Sequence, residues 1–528
     1  MDSRQYYRIT DEERACGQKY RMKSPSNLIY IVAIILFLGI VLTVLNIYEL
    51  HKMKEDHSIV HNSLQMPQVE AKEGKMLFRQ PIVWVLGTKL ETGYLKHVFN
   101  VFERLNYAFG DQESDWDILW SHDYPFVTLS KQLTILKPHQ RVNHFPGSGY
   151  ITNKASLATT KMKFIPKAFQ IPMHKNEFLA YTKQNPGSKW VQKSNNHRGV
   201  VIRAIPDLDL KQEGTFVQEY VSKPYLIDGR KFDIGVYTIL TSINPLRLYV
   251  LEGDVLFRFC IKDYYPFDQN ILEKYVVKDD YTPVWQLPSL KKAYDDMNYS
   301  FKDTFNYYLQ KEGKDYKKVW SDIKAAILTV YLDKEPNLIE SAWKYKTTRN
   351  FFEMVRFDFV LDEDLNVYLM EANMSPNLSS AHFRANSRLY EHVIFNLLGL
   401  VGLAKSVSYD YTKRPEDEGE MTVSDKDIQV FADICGSDKC RDHCTEMICK
   451  LCNKCLTTEW KGLLKETYLE HTARGSCRRV FPRNMTQSEA GDLQSVMASA
   501  EFTALNDKNK MISLWFMGKC REDQVWCS

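Results

Sequence analysis

The chain has 528 residues, enough for two or three domains and a large buried core. A hydrophobic fraction of 44% and an aromatic fraction of 13% exclude a mostly disordered protein. A formal net charge of +3 gives no argument for a nucleic-acid partner, and none is expected.

Residues 1–27 are polar and carry Arg4, Arg8, Arg14, Lys19, Arg21 and Lys23. Residues 28–47 then run without a charge, the length of a membrane-spanning helix. No small-residue cleavage site follows, so a retained single-pass anchor is expected rather than a removed signal peptide. Only Lys52 and Lys54 closely follow the span. The positive-inside rule therefore puts the N-terminus in the cytoplasm and the bulk of the chain on the lumenal or extracellular side. Residues 48–79 read as a polar connector.

From residue 80 the pattern becomes globular. Pro81 to Gly87 reads as a strand, Tyr94 to Phe109 as an amphipathic helix and Trp116 to Trp120 as a second strand. This βαβ-like opening predicts an α/β domain. A Gly/Pro loop from Arg141 leads to a helix start at Lys154, where a cation and a helix N-terminus can meet an anion. A solvated surface lysine is the commoner reading of any single lysine. Lys193 ends an apolar strand beside a polar loop that runs to Gly199, an arrangement that can hold a nucleotide phosphate under a lid.

Thr215 to Val221 is another strand, and a turn at Asp228-Gly229 leads into a long one. Period two places Lys231, Asp233, Gly235 and Tyr237 on one face of that strand. Pro245 to Phe259 continues as paired strands, with Arg258 near the end. Two apolar runs then flank Asp362-Glu363-Asp364-Leu365, a β-hairpin signal without the Asn-Gly or Asp-Gly that would fix its turn. With Leu361 opposite Asn366, Asp358 falls opposite Leu369. Arg356, Asp358, Glu371 and Asn373 then share one face, and Phe357, Phe359, Tyr368, Met370 and Ala372 the other. Carboxylates in strands this apolar need a partner or a metal. Asp358, Glu371 and the Asn373 amide suit Mg²⁺, although acids facing water fit the hairpin equally well.

After a charged linker over residues 406–427, nine of the 11 cysteines crowd into residues 428–528, marking a small cysteine-rich module. In a reducing compartment the Cys449-x-x-Cys452-x-x-Cys455 run suggests zinc. In an oxidising one the set reads as a disulfide framework, with Cys260 able to make the number even. Disulfides agree with the orientation argued from the anchor. Sequons at Asn298, Asn377 and Asn484 are compatible with a lumenal side.

Five blocks in order carry a family resemblance: Val142 to Gly147, Asn153 to Leu157, Asp228 to Ile234, Pro245 to Tyr249 and Phe357 to Leu378. From roughly Trp84 to Leu403, within a domain expected over residues 80–405, the sequence resembles the tubulin–tyrosine ligase-like family, whose members have an ATP-grasp fold. The resemblance implies an ATP-dependent ligase that adds glutamate to acidic peptide carboxylates, such as tubulin tails, through an acyl phosphate. It implies ATP phosphates on Lys154 and Lys193, adenine along Gln218, Glu219, Tyr220 and Val221, and Mg²⁺ on Asp358, Glu371 and Asn373. Lys231 and Asp233 match the nucleotide side, and with Arg258 and Glu371 they are the expected catalytic set. Tubulin as substrate favours the cytosol, against the orientation read from the anchor.

Three departures stand out. Gly235 replaces an arginine thought to hold a substrate carboxylate. Ile271 to Tyr275 is the nearest stretch to an otherwise missing motif, and Glu219 stands where a basic residue is common. The alternative expectation is a membrane-anchored, lumen-facing pseudoenzyme or binding module that retains the fold.

Overall fold

The computed structural model describes residues 39–49, 80–194, 201–404, 422–441 and 443–528. Its contacts divide the chain into Met1–Met76 and Leu77–Ser528. In the first unit only residues 39–49 are described, and they form a helix. The expected span over residues 28–47 otherwise lies outside the described residues. At 1.5 Å per residue the described helix covers roughly half of a bilayer's hydrocarbon core. No helix among the described residues is long and apolar enough to cross a membrane. The single-pass placement and the lumenal side read from it are corrected accordingly.

In the second unit three sheets appear in chain order. The first is parallel, with order β2-β1-β3-β4, from β1 (Ile82–Leu86), β2 (Ala108–Gly110), β3 (Ile118–Ser121) and β4 (Arg141–Val142). The expected βαβ opening is present, but its helix covers only Lys96–Arg104. Asn106 takes a left-handed φ of 62°, which ends the helix and turns Phe109 into edge strand β2.

The second sheet is antiparallel, with order β5-β8-β6-β7. It comprises β5 (Ala168–Ile171), β6 (Trp190–Ser194), β7 (Val201–Arg203) and β8 (Thr215–Glu219). The loop expected to act as a lid after Lys193 lies outside the described residues.

The third sheet holds seven strands: β9 (Leu226–Ile227), β10 (Arg230–Ile243), β11 (Leu246–Leu251), β12 (Leu256–Phe259), β13 (Glu353–Leu361), β14 (Val367–Asn373) and β15 (Cys477–Phe481). Its main path is β14-β13-β10-β11-β15, with β9 and β12 also paired to β10. β13 is buried at all nine positions, the charged Glu353, Arg356 and Asp358 included, so those charges need partners inside the fold. The helix Tyr316–Ala342 buries Val319, Ile323, Ala326, Ile327, Val330 and Tyr331. These side chains belong to the same core as Trp84, Ile239 and Phe357.

The hairpin forms in a different register. Leu361 pairs with Val367 and Phe359 with Leu369; the register then shifts, so Asp358 faces Glu371 and Arg356 faces Asn373. The Asp362 side chain builds the turn, accepting from the N–H groups of Asp364 and Asn366 at 3.0 and 2.8 Å, while Leu365 adopts φ 62°. This Asx turn draws Asn366 into the loop, and a bulge at Met370 restores the parity of the four polar residues. Leu369 replaces Tyr368 opposite Phe359, and the Tyr368 hydroxyl donates to Asp362 at 3.2 Å.

Residues beyond 422 enclose a second core around Trp515, Phe516 and Trp526. They also supply β15, which pairs with β11. Eight cysteines form the disulfides Cys435–Cys452, Cys440–Cys449, Cys444–Cys455 and Cys520–Cys527, as the oxidising reading expected. Zinc has no place there, since those thiols are spent. Cys260 does not complete the set: it and Cys477 are free and buried.

Candidate active site

Strand pairing brings the expected residues onto neighbouring positions of the third sheet. Asp233 on β10 lies beside Arg258 on β12, and Gly235 lies beside Asp358 on β13. Asp358 in turn faces Glu371 on β14. Arg258 donates from Nε and Nη2 to the two Asp233 oxygens at 2.8 and 2.9 Å, and from Nη2 to Asp358 Oδ2 at 3.0 Å. Arg356 forks onto the same Asp358 at 2.7 and 2.8 Å. Burial works against the Arg258 charge, but Asp233 and Asp358 outweigh it and hold its pKa above the ordinary range. Burial raises Asp233, against the pull of Arg258.

Three lysines border this row. Asn153 caps the helix Lys154–Ala158 by accepting from the Ser156 N–H, and Lys154 reaches Glu371 Oε2 at 2.8 Å. Burial pushes Glu371 upward, yet Lys154, then Arg356 and Arg258, hold it down at about 2. From the second sheet, Lys193 donates to Gln218 Oε1 at 2.8 Å. Burial lowers its pKa to about 8 against the pull of Glu371, with Lys154 and Lys231 adding to the drop. Lys231 on β10 donates to the Tyr275 carbonyl at 3.2 Å. The segment Ile271 to Tyr275 thus sits at the site, although its sequence does not announce it.

The expected adenine strand is more occupied than its sequence suggests. β8 ends at Glu219, which accepts from Ser188 Oγ at 2.6 Å. The Glu219 and Tyr220 N–H groups donate to the Lys167 and Lys189 carbonyls, both at 2.8 Å. Tyr220 packs with Val191, Ile202, Tyr264 and Tyr275, and its hydroxyl meets that of Tyr264 at 3.2 Å. Val221 continues the chain beyond the strand.

A divalent cation needs free carboxylate lone pairs. Asp358 already accepts from Arg356 twice, from Arg258, and from Asn373 Nδ2 at 3.0 Å. Glu371 is held by Lys154, and the Asn373 amide also lies 3.3 Å from Glu371 Oε1. Among the described residues no group of three or more His, Cys, Asp or Glu is placed to hold a metal. As arranged, Asp358, Glu371 and Asn373 do not fit Mg²⁺.

Arg356 is the residue that sequence reasoning placed on the right face without giving it a role. Its signal was Gly235, which lies next to it in space and far from it in sequence.

The sequence matches the tubulin-tyrosine ligase family over residues 132–408. It is 38% identical over 466 residues to the probable tubulin polyglutamylase ttll-15 of Caenorhabditis elegans, covering 85% of this chain and 87% of that protein. The chain belongs to the tubulin-tyrosine ligase family. Two human proteins are less similar to it than that. The tubulin monoglutamylase TTLL4 is 27% identical over 442 residues, or 76% of this chain. The tubulin polyglutamylase TTLL6 is 27% identical over 329 residues, or 58% of this chain. The chain spans 36% of the length of each of these two human family members.

Proposed function

We propose that this chain is an ATP-dependent carboxylate–amine ligase that adds glutamate to acidic peptide carboxylates, with tubulin tails as acceptor. The observation that carries this reading is the convergence of five cations, Lys154, Lys193, Lys231, Arg258 and Arg356, on three carboxylates, Asp233, Asp358 and Glu371. Such a surplus of positive charge, held in place before substrate arrives, suits a triphosphate and a substrate carboxylate.

In the first step the acceptor carboxylate oxygen attacks the γ-phosphorus of ATP, forming an acyl phosphate and releasing ADP. The amine of glutamate then attacks the acyl carbon, forming the amide and releasing phosphate. Lys154, Lys193 and Lys231 are proposed to neutralise the phosphates, and the segment Gln218 to Val221 to border the adenine in an ATP-grasp arrangement. Asp233 fixes the Arg258 fork, which leaves that guanidinium rigid beside the transferred group. Ligases of this family use ATP and Mg²⁺ in general. Asp358, which already accepts four donors, offers that metal no open seat.

Incubating the full chain with ATP, Mg²⁺, labelled glutamate and tubulin tests the reading. ATP-dependent label in tubulin is the expected result. No incorporation under conditions where a related ligase works would defeat it. The saturation of Asp358 favours one competing reading, a family member that binds nucleotide without turnover. Glu371→Gln separates the two, since a ligase loses incorporation and a non-catalytic binder has none to lose.

A further inference from the structure

Gly235 lies in the interior of β10, and its backbone is not left-handed. What the position requires is the absence of a Cβ. A Cβ built there would lie 2.9 Å from Arg356 Cδ and 3.2 Å from both Arg356 Nε and Asp358 Oδ1. Arg356 cannot easily retreat, because it is only 5% exposed and its strand is buried along its whole length. The glycine on one strand is therefore the seat of the arginine on the next.

Arg258 divides its single charge between Asp233 and Asp358, and Arg356 completes the neutralisation of Asp358. Arg258 and Asn373 already donate to Asp358 Oδ2, each at 3.0 Å. The Arg356 fork uses Nε and Nη2, so Nη1 stays outside the pair, and the one further group that interacts with this guanidinium from the facing position of β10 is the neutral Tyr237 hydroxyl. A guanidinium fixed along one edge loses little conformational freedom when its other edge takes a second carboxylate. Of the neighbouring cations, Lys154 is engaged with Glu371 and Arg258 with two aspartates, while Lys193 and Lys231 donate to Gln218 Oε1 and the Tyr275 carbonyl and are assigned above to the phosphates.

We infer that Arg356, seated by Gly235, is the group through which this chain grips a substrate carboxylate. It delivers from β13 the cation that β10 lacks at position 235. The inference rests on the ligase reading above. The carboxylate belongs either to the incoming glutamate or to the acceptor peptide, which present the same chemistry.

The test uses the full chain with Arg356→Gln, Arg356→Lys and Gly235→Ala. The last leaves the arginine in the sequence but removes its seat. Calorimetry measures glutamate, a glutamate-rich tail peptide and a non-hydrolysable ATP analogue separately, with melting temperature as the fold control. Losing a charge-assisted fork is expected to weaken one carboxylate ligand about ten- to a hundredfold. The ATP analogue should bind all variants alike. A loss confined to glutamate assigns the grip to the incoming amino acid, and a loss confined to the peptide assigns it to the acceptor. In turnover assays the same ligand's KM should rise more than kcat falls.

If Arg356→Gln does not fold, Gly235→Ala and Arg356→Lys carry the test. Unchanged affinity for both carboxylate ligands in the folded variants overturns the inference. So does a loss shared equally by the ATP analogue, which marks a merely structural arginine. Because binding is read without turnover, wild type that binds glutamate or peptide but does not ligate refutes the ligase reading alone.

Discussion

Among the described residues, two buried arginine–carboxylate networks differ in how their charges balance. At the candidate site five cations surround three carboxylates, and the Lys154–Glu371 edge is partly open to solvent. Beside the C-terminal core, Arg247 donates from Nε to both Glu470 oxygens at 3.2 and 3.1 Å, and from Nη2 to Glu466 at 3.0 Å. Glu466 is also 3.2 Å from Arg349 Nε. There two cations meet two carboxylates, and both Arg247 and Glu470 are almost fully enclosed. Buried ion pairs alone do not mark a site. A surplus of one sign beside an opening does.

This contrast can be broken from its structural side first. Arg247→Ala leaves Glu470 buried without its partner, and burial already pushes that carboxyl upward. The expected loss is about 3–5 kcal/mol in denaturant unfolding, with ATP affinity per folded molecule unchanged. A loss of nucleotide affinity without a loss of stability would erase the distinction between the networks.

Opening the Cys435–Cys452 disulfide by a double serine substitution should cost about 2–4 kcal/mol. Its effect is confined to the C-terminal core, so ATP affinity again should hold. Unfolding monitored by Trp fluorescence, alongside calorimetric ATP binding, checks both outcomes.

From the site side, Lys193→Met should do the reverse. The ATP analogue should bind about ten- to a hundredfold more weakly, as expected for a lost charged contact. Stability should stay level or rise, because a partly buried ammonium has been removed. A drop in melting temperature with intact ATP affinity would place Lys193 with Arg247 among structural charges.

Much of this site was legible in sequence because side-chain alternation along strands is robust. Lys231 and Asp233 on β10, and Asp358 and Glu371 on the hairpin, share a face even though the hairpin register was read one residue out. The bulge at Met370 compensated for the extra turn residue, and a bulge leaves no periodic signature. The saturation of Asp358 was not legible, since it depends on where Arg258 and Arg356 arrive from other strands. Gly235 alone suggests a lost cation, because Arg356, whose side chain lies over it, is 121 positions away in numbering. The helix ending at Arg104 rather than Phe109 turned on a single left-handed Asn106, a local backbone choice that apolar spacing does not encode.

The smallest expected effect is a pH dependence, and its sign discriminates between the networks. Lys193 titrates at about 8 in the folded chain against 10.5 for an ordinary lysine. Below pH 8 it is charged in both folded and unfolded states, and the folded state bears the whole cost of burying it. Between 8 and 10.5 the folded chain releases the proton while the unfolded chain keeps it, so this group's contribution to stability becomes less unfavourable as pH rises. ATP binding has the opposite slope, because phosphates need the ammonium. Affinity should be flat near neutrality and fall above pH 8, by up to about tenfold per unit. Glu371, held at about 2, does not titrate in that window. Lys193→Arg should flatten the slope, since a guanidinium stays charged throughout. Calorimetric titration of the ATP analogue from pH 7 to 10 reads the effect directly. A slope that persists in Lys193→Arg would move the titrating group elsewhere.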